Sequence, residues 1–95
     1  MKIESTVKVI NPLREGISRS TGNPWKAMDI IIEWPDGEHY QLQSVTLYGE
    51  DARQFANSGI RVGDVIEGDL QLTTDNYHGR VFNRAILRRV TKIIN

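Results

Sequence analysis

Apolar and polar positions are most informative between Val45 and Leu72. From Ser44 to Tyr48, Val45 and Leu47 point one way and Thr46 and Tyr48 the other, which predicts a half-buried strand stopped by Gly49. The period then changes. Ala52, Phe55 and Ala56 fall at i, i+3 and i+4 behind Glu50 and Asp51, and Asn57-Ser58-Gly59 follows, so a short helix is predicted there. Ile60, Val62, Val65, Ile66, Leu70 and Leu72 return to an extended segment, with Gly63-Asp64 as its starting turn and Gly68 as a bulge or bend within it.

The flanking segments read as further strands. Ile3 to Ile10 is rich in β-branched residues, and Asn11-Pro12 and Glu15-Gly16 interrupt it, giving a first strand in two segments, about Ile3–Ile10 and Leu13–Ser18. Arg19 to Pro24 is a turn-rich loop. Trp25 to Trp34 alternates, with Met28, Ile30, Ile32 and Trp34 on the expected core face and Trp25, Ala27, Asp29, Ile31 and Glu33 on the other. Pro35-Asp36-Gly37 turns that strand into a hairpin with the one ending at Tyr48. Thr73 to Gly79 reads as a polar loop carrying Tyr77 and His78, and Arg80 to Ile94 as a last strand with Phe82 in the core. Its faces stay unassigned, because Ile86-Leu87 and Arg88-Arg89 break the alternation.

The count is five strands with one short helix between the third and fourth. That is the element order of an all-β, five-stranded Greek-key OB-fold barrel, whose ligand face lies on strands 2 and 3 between the loops after strands 1 and 4.

Ninety-five residues make a single domain, 1–95, and 39% hydrophobic with 25% charged residues is ordinary for a globular protein. There is no cysteine, no signal-peptide pattern at the start and no apolar run of membrane-spanning length, so a cytoplasmic protein without a membrane association is expected. The formal net charge is zero, but the charges are segregated. Acids dominate from Pro35 to Asp75, whereas from Asn76 onward there are none and Arg80, Arg84, Arg88, Arg89 and Lys92 form a basic run. That run is either a positive stripe or a set of ion pairs to neighbouring strands, and charge alone does not choose. Catalysis finds no footing. His39 and His78 lie apart, no thiol nucleophile or phosphate-cradling glycine motif is present, and Asp64, Glu67 and Asp69 are spaced for turns rather than a metal. No enzyme activity, cofactor or metal is expected.

Three pieces carry a family likeness: Y-G-E-D-A (Tyr48 to Ala52), R-V-G-D-V-I-E-G-D-L (Arg61 to Leu70) and Y-H-G-R-V-F-N (Tyr77 to Asn83). They resemble the bacterial single-stranded DNA-binding protein family. With Ser20 to Lys26 and Ile30 to Gly37 added, the chain looks closer to a small, uncharacterised offshoot of it. The resemblance implies a base-stacking role for Tyr48 on the solvent side of its strand and a similar position near Tyr77. It also implies association through exposed edges as a homodimer or homotetramer. Leu42 stands where family members often carry a stacking Trp, and the flexible, acidic-tipped tail with which they recruit partners is not expected here.

Sequence-tolerant binding of single strands needs aromatic faces for bases and cations for phosphates. The candidates are Trp25, Tyr48, Tyr77 and His78 for the first task, and Arg19, Lys26, Arg80 and Arg84 for the second. Trp25 fits a barrel-end or subunit contact equally well, and each cation alone fits a solvated surface charge. The expected function is binding of single-stranded DNA, with RNA as the other substrate. The alternative is an OB fold used as a protein-interaction or assembly module.

Overall fold

Val7, Met28, Ile30, Ile32, Val45, Leu47, Ile66, Leu70 and Leu87 are all buried, and they recur at alternate positions of their strands. A sheet with one such apolar face must cover it, and here it does so by curling on itself. The computed structural model describes residues 1–93. Its elements are β1 (Lys2–Ile10), β2 (Arg14–Ile17), β3 (Pro24–Asp36), β4 (His39–Tyr48), α1 (Gly49–Ala56), β5 (Val65–Tyr77) and β6 (Arg80–Lys92). The strands follow the order β1-β5-β6-β4-β3-β2, and an additional β1–β3 pairing closes the ring. Antiparallel ladders make every joint except one, a parallel bridge between Thr46 of β4 and Ile86 of β6. This is the five-stranded OB-fold barrel.

The strand count differs from the expected one at the start of the chain. Asn11-Pro12 divides the first strand, and both halves pair with β3: Thr6 to Ile10 against Ile30 to Glu33, and Arg14 to Ile17 against Pro24 to Ala27. The barrel thus has five staves built from six strands. The helix, expected between the third and fourth strands, therefore stands after β4 in chain order. It occupies the expected residues and buries Ala52 and Phe55 against the core.

Two further expectations are corrected. Thr73 to Tyr77 is strand, not loop: β5 and β6 stay paired out to Tyr77–Arg80, well past the last buried pair, Leu70–Leu87. The turn is only His78-Gly79, with φ of 52° and 76°, the double positive φ of a type I′ hairpin. A hairpin arm wet on both faces has no hydrophobic period to reveal it, so its polar composition imitates a loop. For the same reason Phe82, expected in the core, is 47% exposed on this arm. The expected strand end at Ile94 lies outside the described residues.

The unassigned faces of the last strand resolve at a bulge. Asp69 faces Arg88 while Glu67 faces Thr91, so β6 carries one extra residue opposite Gly68. Arg89 absorbs it with φ of 54°, its N–H donating to Asp51 Oδ1 at 3.0 Å. A Cβ on Gly68 would come within 3.1 Å of Leu87 Cδ1 and 3.2 Å of the Arg88 carbonyl, so any side chain at this crossing would have to push its neighbours aside. Leu87 and Val90 both reach the core in consequence, leaving Arg88 and Arg89 outside.

Candidate nucleic-acid interface

Cross-strand partners share a face of the sheet, and this builds the outer surface residue by residue. On β6 the outward positions are Arg80, Phe82, Arg84, Ile86 and Arg88, opposite Tyr77, Asp75, Thr73, Gln71 and Asp69 of β5. Through the Thr46–Ile86 bridge the same face continues onto Thr46 and Tyr48 of β4, then onto Asp29 and Ala27 of β3. Period two along β6 thus lays three arginines, an aromatic and an isoleucine in one row. That row could have been found in the sequence as R-x-F-x-R-x-I-x-R, but the bulge at Arg89 obscured where the alternation began.

At the distal end of the row, Asp75, Asn76, Tyr77, Phe82, Asn83 and Arg84 line an open cleft of about 640 Å³. Tyr77 is 66% exposed, and the His78 ring meets it edge-on with centroids 4.1 Å apart. Tyr77 and Phe82 are diagonal neighbours across the hairpin, close enough for both rings to meet one flat ligand. Arg84 Nε pairs with Asp75 at 3.0 Å, both ends well exposed, so this contact positions the guanidinium without adding much stability. Arg80 has no ion pair among the described residues.

At the proximal end, Tyr48, Glu50, Asp51, Gln54, Ile86, Arg88 and Arg89 surround a second cleft of about 450 Å³. Tyr48 is 42% exposed where β4 meets α1. Its acidic neighbours are engaged: Glu50 by the Arg53 guanidinium, which holds its carboxyl below the ordinary range, and Asp51 by the Arg89 N–H. Arg89 Nη1 lies 3.2 Å from Asp69, whereas Arg88 has no ion pair among the described residues.

Trp25 and Lys26 border a third, smaller cleft with Pro24, Gly49 and Glu50, adjacent to the second through Glu50. Trp25 is 42% exposed, its indole lying over Gly16, where a Cβ would fall 2.6 Å from the ring. Lys26 stands 3.9 Å from Glu15. Arg19 is exposed in the loop before β3 and lines none of the three clefts. The site residues expected from sequence therefore form two groups, Tyr77, His78, Arg80 and Arg84 on the arm and Trp25, Lys26 and Tyr48 near the helix. Ile86 and Arg88 of β6 link the groups, and Phe82 joins the first.

The basic run is partly neutralised, as the ion-pair alternative required. Arg84, Arg89 and Lys92 pair with Asp75, Asp69 and Asp64. Beside the row, Asp29 of β3 is held by Arg14 at 2.8 Å and by the Thr46 hydroxyl at 2.7 Å, and Glu33 by Lys8 at 3.4 Å. The acids nearest the row are thus occupied.

A closed five-stave barrel with a helix after β4 is the architecture of an OB-fold protein, here with a decorated outer face on β4 and β6. No protein-family model matches the sequence, and no curated protein matches it. Solved structures do. The mitochondrial single-stranded DNA-binding protein Rim1 of S. cerevisiae superposes with a TM-score of 0.66 at 14% identity, covering 100% of this chain and 95% of that one. The SSB domain of a Synechococcus protein gives 0.64 at 12% identity, over 95% of this chain and 90% of that one. A small single-stranded DNA-binding protein from Streptomyces coelicolor gives 0.52 at 16%, over 99% and 94%. At such identities the likeness establishes a shared fold. Among the described residues no helix is long and apolar enough to cross a membrane.

Proposed function

We propose that the chain binds single-stranded nucleic acid, DNA foremost, along the outer face of β6. The carrying observation is the row Arg80, Phe82, Arg84, Ile86 and Arg88, flanked by Tyr77 at one end and Tyr48 at the other. Rings that are part-exposed on a rigid sheet present π-faces to bases, and arginines between them meet the phosphates of the same strand. The superposing structures, each of a single-stranded DNA-binding protein or an SSB domain, support the reading.

Within it, Tyr48, Tyr77 and Phe82 stack bases, Arg80, Arg84 and Arg88 contact phosphates, and His78 braces Tyr77. Trp25, Lys26 and Arg19 extend the path beyond the helix. The role is non-enzymatic, in DNA replication or repair in the cytoplasm, with the protein acting as a homodimer or homotetramer. A titration with unlabelled oligo(dT), following tryptophan fluorescence at low and moderate salt, tests this. Quenching with log K falling by roughly 0.7 per phosphate contact for each unit of log salt supports it, and no binding at low salt refutes it.

A further inference from the structure

The sheet leaves one long backbone edge uncovered. β4 joins β6 only at Thr46–Ile86, so from His39 to Val45 no described strand pairs with β4 on the side away from β3. Beyond Glu33, the last β3 residue that β1 pairs, β3 and β4 form a two-stranded arm, turned at Gly37-Glu38. Tyr40 and Leu42, on one face of the arm, are 73% and 60% exposed, large apolar groups with nothing over them. Of the six acids between Lys26 and Arg53, Asp29, Glu33 and Glu50 pair with Arg14, Lys8 and Arg53, and Asp51 accepts from the Arg89 N–H. Asp36 and Glu38, at the arm's tip, have no ion pair among the described residues.

An unpaired strand edge, an apolar pair at alternate positions and an acidic tip together suit a particular ligand. We infer that the His39–Val45 edge of β4 docks an extended peptide segment of alternating basic and apolar residues, added as a strand. Backbone bonds to the edge would supply register, Tyr40 and Leu42 would receive its apolar side chains, and Asp36 and Glu38 its cations.

The probe is a fluorescein-labelled, end-capped hexapeptide of alternating Lys and Val, its anisotropy followed at low salt. Controls are the same peptide with Glu for Lys, and one N-methylated at alternate residues in both registers, which removes half its edge donors. Binding of the Lys peptide alone, weakened at least tenfold by Leu42→Lys and by Glu38→Lys but unchanged by Arg80→Ala, is the expected result. Equal binding of the N-methylated peptides would reduce the contact to charge attraction and overturn strand addition. Absence of binding by the Lys peptide would also overturn it. Light scattering on Leu42→Lys closes the remaining route: if the substitution lowers the oligomer mass, the edge is covered by a second copy of the chain and the peptide proposal falls. None of these readouts depends on nucleic-acid binding, so the two readings fail separately.

Discussion

Two hairpin arms project from the barrel, the ends of β3 and β4 beyond Glu33–Leu42 making one and the ends of β5 and β6 the other. Both are two-stranded and tightly turned, one through Gly37-Glu38 with φ of 65° at the glycine, the other through His78-Gly79. Their outward residues differ throughout. The β3–β4 arm shows Tyr40, Leu42 and unpaired acids, and the β5–β6 arm shows Tyr77, Phe82, Arg80 and Arg84. The same backbone plan thus serves two chemistries, because the tips of both arms lie beyond the core and their outward side chains are exposed.

The largest effect should separate barrel from arm within one strand. Leu47→Ala opens a cavity in the core and should cost about 2–5 kcal/mol, whereas Leu42→Ala on the arm should stay within about 0.5 kcal/mol. Urea denaturation decides, and equal losses would mean that the arm is packed after all. Next comes the contrast between arms: Tyr77→Ala and Phe82→Ala should each weaken oligo(dT) binding by roughly 1–3 kcal/mol, and Tyr40→Ala should not change it. Fluorescence anisotropy measures all three in folded proteins, and a loss at Tyr40 as large as at Tyr77 would erase the distinction.

A smaller effect concerns the bulge that puts Arg88 and Arg89 outside. Arg89 adopts a left-handed conformation costing a side chain roughly 1–3 kcal/mol, so Arg89→Gly should raise stability by about 1 kcal/mol after the exposed pair with Asp69 is lost. A lowered melting temperature would show that its contacts outweigh the strain. The smallest is a pH effect in the turn before β5. The Arg61 N–H, and after it Lys92, hold the Asp64 carboxyl below its ordinary range. A carboxyl whose folded pKa is depressed stabilises the fold above its unfolded pKa, about 3.9, and this is lost as pH falls through the folded value. Melting temperatures below about pH 4 should therefore drop less for Asp64→Asn than for the parent chain. Parallel curves would remove Asp64 from the account.

The barrel was legible in the sequence because its strands are buried on one face: Val45 and Leu47, or Met28, Ile30 and Ile32, alternate visibly, and the helix announces itself by a change of period. The site was legible in pieces. Tyr48 is exposed as its parity with Thr46 implied, and Tyr77 with His78 does stand at a tip. What stayed hidden was the arm joining them. Thr73 to Tyr77 has no buried face to impose a period, and the β6 bulge sits at an arginine where a glycine would have signalled it. Phe82 was placed inside for lack of that phase.

The comparison of arms is tested most directly by backbone amide NMR of the labelled protein, titrated with oligo(dT) at low salt. The account requires shifts from Arg80 to Arg88 and at Tyr48 and Tyr77, with His39 to Gln43 unmoved. Shifts concentrated at His39 to Gln43, with β6 silent, would contradict it.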